Sequence, residues 1–167
     1  RRSSDLNMKL LRFFIFVILA VSLLPSSIAA EWQWSVQISG IVSNETNDHP
    51  QAFLWIPSDC VQVKGVMIST HNMTEETLFE NALFREKMSE IGLALIWITP
   101  GWDQKWDITA GSQKAFEQML DDFASVSGYN ELKYAPIVPF GHSAMATYPW
   151  NFAAWNPDRT LEIGRAS

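Results

Sequence analysis

"YAPIVPFGHSAMATYPW", residues 134–150, decides the reading of this chain: an apolar run is followed at once by Gly-His-Ser-Ala and then by a Pro-Trp pair. Glycine at Gly141 frees the backbone for a sharp turn, His142 and Ser143 fall at its apex, and the small Ala144 and Ala146 let a helix begin close by. This is the pattern of a nucleophile carried on a strand-to-helix turn. The run ahead of it, "YAPIVPF", reads as a strand. Pro136 is tolerated at its start, and Pro139, which lacks a ladder donor, marks where the strand stops pairing.

Upstream, "VKGVMIST" and "LALIWITP" are short apolar runs of the kind found in strands buried on both faces. Between them, residues 74–91 read as one helix, because Phe79, Ala82 and Leu83, and again Phe84, Met88 and Ile91, recur at spacings of three and four. Asn72 is its expected cap, with Glu75 as the other half of a capping box. A second helix carries the stripe Phe116, Met119, Leu120 and Phe123, with Ser112 at its start and Gly128 closing it. Before all of these, "WQWSVQISG" and "PQAFLWIP" alternate as half-buried strands across the polar loop "VSNETNDHP", an antiparallel pair. Strand, helix, strand, helix, strand predicts an α/β fold of five or more strands, mostly parallel, with right-handed crossovers and helices on its faces.

Composition agrees with one globular unit: 167 residues, 47% hydrophobic and 18% charged, can bury a sizeable core. At the N-terminus, Met8, Lys9 and Arg12 precede "FFIFVILAVSLL" and the small-residue stretch ending at Ala30, the layout of an export signal cleaved after Ala30. Its apolar run, residues 13–24, is shorter than the roughly 18 to 20 residues of a spanning helix, so a retained membrane anchor is the second reading. The expected organisation is therefore an upstream or non-native extension at 1–7, a signal peptide at 8–30 and a partial α/β domain at 31–167. Location would be periplasmic or extracellular, with membrane contact only during export. Loss of residues 1–30 removes four basic groups and one acid, taking the net charge from −6 to −9, which argues against nucleic acid as a partner. Cys60 is the one cysteine and fits no metal-ligand spacing with the three histidines, so neither metal nor cofactor is expected. Asn44 and Asn72 head sequons that matter only in a eukaryotic secretory pathway.

In a sheet of this kind ligands sit beyond the carboxyl ends of the strands. Three segments are expected there: "STHNMTEE", "TPGWDQKWDITAGS" and "GHSAM". A serine hydroxyl needs a base to take its proton and donors to hold the oxyanion formed on the attacked carbonyl. With Ser143 just before a helix, the Ala144 N–H lies near that oxyanion, and Met73, following Asn72, offers a second N–H. The competing reading makes Ser143 only a helix cap. His142 reads as an elbow residue packed against neighbouring loops, and His71 and His49 as loop hydrogen bonders. Trp102 and Trp106, flanking Asp103 and Lys105, could stack on a sugar or simply pack their loop.

On "PFGHSAMATYPWNFAAWNP" with "THNMTEE", the chain resembles the α/β-hydrolase superfamily, and within it a group of secreted bacterial hydrolases, over residues 63 to about 160. The resemblance implies a serine hydrolase acting on carboxylic esters, small-molecule or on polysaccharide. Carried over residue by residue, Ser143 would be the nucleophile and Ala144 and Met73 the oxyanion donors, while no role carries over to His142; His71, Asn72, Trp102 and His142 are candidate substrate-lining residues by their place in these loops. Met145 stands where the G-x-S-x-G pattern has its second glycine. In the order of this superfamily an acid and then a histidine follow the serine, yet no histidine follows Ser143 and the later acids are Asp158 and Glu162. "LEIGRAS" lacks the apolar character of a next buried strand, which reads as a truncated domain or foreign tail, inactive alone. The alternative class is a non-catalytic secreted carbohydrate-binding module, suggested by eight tryptophans; it predicts a β-sandwich with no helix at 116–123.

Overall fold

"LALIWIT", strand β4 (Leu93–Thr99), shows why the sheet is covered on both sides: Ala94, Ile96 and Ile98 turn to one face, Leu93, Leu95 and Trp97 to the other, and all six are buried. The structure, a computed structural model, describes residues 31–101, 107, 109 and 111–166. The signal-peptide reading, the extension at 1–7 and the readings of Trp102, Asp103, Lys105 and Trp106 lie outside the described residues.

Six strands form one sheet in the order β1-β2-β4-β3-β5-β6. β1 (Trp34–Gln37) pairs antiparallel with β2 (Gln51–Trp55), as expected, and β2 pairs antiparallel with β4. β3 (Gly65–Thr70) lies parallel to β4 on one side and to β5 (Ile137–His142) on the other. The β3–β5 ladder ends at Ile68 opposite Pro139, so the proline sits where pairing to β3 stops, as the missing donor requires. "LEIGRAS" departs from expectation. Gly164–Ala166 forms β6, parallel to β5 with Gly164 opposite Phe140, so this weakly apolar segment does join the sheet.

One face of the sheet packs against helices α3 (Ser112–Ser127) and α4 (Tyr148–Trp155); the other packs against α1 (Glu75–Glu80) and α2 (Ala82–Ile91). The predicted stripe of α3 is wholly buried, with Phe116, Met119, Leu120 and Phe123 each at most 1% exposed. Gly128 closes α3 in the left-handed region, donating its N–H to Ala124 O, while Gly111 rather than Ser112 takes the cap position and Ser112 is the first helical residue. A helix of 16 residues across 112–127 is incompatible with the β-sandwich alternative.

The single helix expected over 74–91 is two. Asn81 adopts an extended backbone between them and its side chain accepts the Phe84 N–H, capping α2 afresh. The break rotates the two halves against each other, so Phe79 is buried while Leu83 and Ile91 are exposed. Arg85 fastens α2 to the sheet. Its guanidinium lies 4.8 Å from the Trp32 ring centroid and 5.0 Å from that of Trp55, and its Nε donates to Phe79 O. Burial lowers its pKa to about 10, against the opposing charge of Glu80. Arg85→Lys keeps a charge but loses the planar group that stacks between two indoles, so it should cost about 2 kcal/mol. Thermal unfolding followed by tryptophan fluorescence checks this; an unchanged midpoint would refute it.

Candidate active site

β5 ends at His142, whose backbone is extended (φ −115°, ψ 146°), and the next residue reverses: Ser143 has φ +52°. A non-glycine residue in the left-handed region carries about 1–2 kcal/mol of backbone strain, and such strain gathers where it positions a reacting group. Ser143 is exposed at this apex and is the first residue of a 3₁₀ helix, Ser143–Thr147, which runs directly into α4. Two of the readings made from sequence are thereby refined. Ser143 makes no capping hydrogen bond, since His142 occupies the N-cap position and shows no side-chain cap. The left-handed residue is the serine, and Gly141 has no positive φ.

Gly141 is needed for space. A Cβ there would lie 2.2 Å from Met145 O and 2.8 Å from its carbonyl carbon, because the 3₁₀ helix folds back tightly onto the end of β5. Met145 in place of a second glycine is accommodated by that same winding. Its side chain turns inward, 1% exposed, with its methyl near Gly101. The Ser69 hydroxyl, fully buried at the end of β3, donates to Phe140 O at 2.9 Å and fixes the base of the elbow.

The loop after β3 is held to the elbow by polar contacts. Asn72 Nδ2 donates to His142 O at 2.6 Å and reaches Glu75 Oε1 at 3.4 Å. Glu75, 0% exposed, accepts the His142 N–H through Oε1 and the Thr74 N–H through Oε2, each at 3.0 Å. Asn72 is therefore not the helix cap. Thr74 is, and it makes no side-chain cap hydrogen bond. Met73 precedes the cap in the loop, its side chain 75% exposed, and among the described residues its N–H has no acceptor. Ala144 lies in the first turn of the 3₁₀ helix, where amides have no intrahelical carbonyl ahead of them. Of the residues predicted for the site, Asn72, His142, Ser143 and Ala144 meet in one cluster with Met73 in the adjoining loop, and Trp102 lies outside the described residues.

His71 is exposed, its ring centroid 6.2 Å from that of Trp97. His49 Nδ1 contacts Ile41 O at 2.6 Å, the loop role expected of it. His142 Nδ1 is buried without a partner. None of the three makes a hydrogen bond with Ser143 among the described residues.

Sequence reasoning missed two contributors. The β1–β2 loop reaches this edge as a fourth segment: Ser43 donates to Gly101 O at 3.0 Å, and Glu45 Oε1 and His71 O both lie beside Gly101. The signal was present in strand direction, since a strand two antiparallel steps from β4 runs the same way and delivers its loop to the same edge. Glu75 was read only as a helix-start residue, although its place three residues after Asn72 put it within reach of the elbow.

No family model and no curated protein sequence matches the chain. Solved structures do. Acetyl xylan esterase from Aspergillus awamori is 14% identical with a TM-score of 0.52, over 78% of this chain and 50% of that one. Est1E from Butyrivibrio proteoclasticus is 16% identical with a TM-score of 0.44, over 77% and 49%. The S-formylglutathione hydrolase FrmB from Staphylococcus aureus is 14% identical with a TM-score of 0.47, over 76% and 53%. The chain spans about half the length of these structures. Its fold is that of the α/β-hydrolases: a mostly parallel sheet with flanking helices, and a serine at the turn after the fifth strand.

Proposed function

We propose that Ser143 is the nucleophile of an exported serine hydrolase acting on carboxylic esters, with the N–H groups of Ala144 and Met73 receiving the oxyanion. The observation that carries this reading is the strained, exposed Ser143 backbone at the end of β5, over a glycine that admits no side chain. As Ser143 Oγ bonds to the carbonyl carbon and gives its proton to water, the carbonyl oxygen takes up the displaced electron pair in the space between the elbow and the loop after β3, and collapse of that oxyanion expels the alcohol portion of the ester. Each donor is worth on the order of 3 kcal/mol of transition-state stabilisation. Acyl groups on polysaccharide are the proposed substrate class, supported by the export-type N-terminus and by the likeness to an acetyl xylan esterase. Among the 167 residues no histidine follows Ser143, and the later acids Asp158 and Glu162 have none after them to orient, so the base and acid are assigned to none of them.

Even without a base, an oxyanion hole accelerates acyl transfer by roughly 10³- to 10⁴-fold over water. Incubation with p-nitrophenyl acetate should therefore give one slowly formed acetyl adduct by intact mass, mapped to Ser143 by peptide analysis and absent from Ser143→Ala. An adduct that survives that substitution would defeat the assignment.

A further inference from the structure

We infer that Glu75 is a positioning residue whose buried carboxylate holds the two oxyanion donors at a fixed separation. The inference rests on the reading of Ser143 as nucleophile and extends it to a residue that touches no substrate.

The argument is one of connectivity. Met73 N–H can serve an oxyanion beside Ser143 only if the loop carrying it keeps its distance from the elbow. On one side of Met73, the Asn72 amide is bonded to His142 O; on the other, Thr74 N–H is bonded to Glu75 Oε2. The same carboxylate accepts His142 N–H through Oε1, so the residue preceding the nucleophile is gripped at both its N–H and its C=O. Glu75 thus closes a ring through Thr74, Met73, Asn72 and His142. Among the described residues it has no cationic partner, and it is wholly buried. A carboxylate in that setting is retained only where its acceptor capacity is used, because uncompensated burial of charge is strongly unfavourable. Backbone amides are the groups it serves. Glutamine could keep one of these bonds, but its NH₂ would face an N–H and oppose the other.

Displacing a catalytic group by about 1 Å costs on the order of 10²-fold in rate. Glu75→Ala should therefore slow acetylation of Ser143 by p-nitrophenyl acetate about 100-fold at unchanged half-saturation, and Glu75→Gln about tenfold. Amide-resolved hydrogen exchange on the full chain gives a readout independent of chemistry. His142 and Thr74 should exchange about tenfold faster in both variants, while Leu95 and Ile96 in β4 keep their protection. Unchanged exchange at His142 and Thr74, or acetylation at the rate of the parent, would overturn the inference. So would loss of protection throughout β4 in Glu75→Gln, which would reduce Glu75 to a support of the fold. If Ser143→Ala retains the adduct, the nucleophile assignment fails while exchange still decides the clamp.

Discussion

Gly141→Ala should destabilise the protein by about 3 kcal/mol, lowering its melting temperature by roughly 10 °C, and should slow acetylation of Ser143 about 100-fold. One methyl group has this effect because of what it meets. Its carbon would stand 2.2 Å from Met145 O, and a carbonyl within a hydrogen-bonded turn cannot swing aside as a flexible side chain can. Relief must come from moving the 3₁₀ helix, and with it Ser143 and the Ala144 N–H. Gly128→Ala is the matched control. Gly128 has φ +82° and open space around its missing Cβ, so that substitution should cost about 1 kcal/mol of left-handed strain and leave acetylation unchanged. Equal costs for the two substitutions, measured by denaturant unfolding, would show that the elbow relaxes freely and that the crowding is without consequence.

The contrast between these glycines also marks where sequence reading succeeded. β4 and α3 were legible because their patterns are strong: a short, uninterrupted apolar run for a strand flanked on both sides and covered on both faces, and four apolar residues at helical spacing closed by a glycine. Gly141 was located correctly for the wrong physical reason. A glycine in a turn suggests backbone freedom, whereas here the positive φ belongs to Ser143 and the glycine supplies room. Periodicity alone could not reveal the break at Asn81, because the apolar spacing runs on across it while a side-chain oxygen capping Phe84 N–H starts a new helix. β6 was misjudged because its few apolar residues were weighed against a strand buried on both faces, while a short strand at the sheet edge can form on backbone pairing.

Site residues divided along similar lines. The placement of Ser143, Ala144 and Asn72 at one sheet edge was legible because each lies within two residues of the end of a strand. Glu75 was not, because a charged residue in a first helical turn ordinarily faces water. Its burial follows from His142, 67 residues on, which the pairing of β3 with β5 brings against it. The role of Asn72 changed for the same reason: its amide serves the elbow, 70 residues away, instead of its own helix.

A polypeptide of these 167 residues should show no repeated turnover of p-nitrophenyl acetate at a triad-like rate, falling short by on the order of 10⁴-fold or more. A serine hydroxyl is nearly all protonated at neutral pH, so rapid attack needs a base within hydrogen-bond reach, and release of the acyl group needs that base again to activate water. The chain holds three histidines. His49 is engaged with Ile41 O in the β1–β2 loop. The imidazole of His71 stands against Trp97, on the loop after β3 that carries Met73. His142 adjoins Ser143, but its Nδ1 is buried without a partner and makes no hydrogen bond with Ser143. Ser143 Oγ itself has no hydrogen-bond partner among the described residues. The kinetic consequence is specific: one equivalent of p-nitrophenolate released slowly as the acetyl adduct forms, followed by a much slower phase. Replacing His49, His71 or His142 by alanine should change neither phase more than about threefold, because none of them relays the proton. Sustained turnover that Ser143→Ala abolishes would overturn this expectation, and whichever histidine substitution then removed it would identify the base.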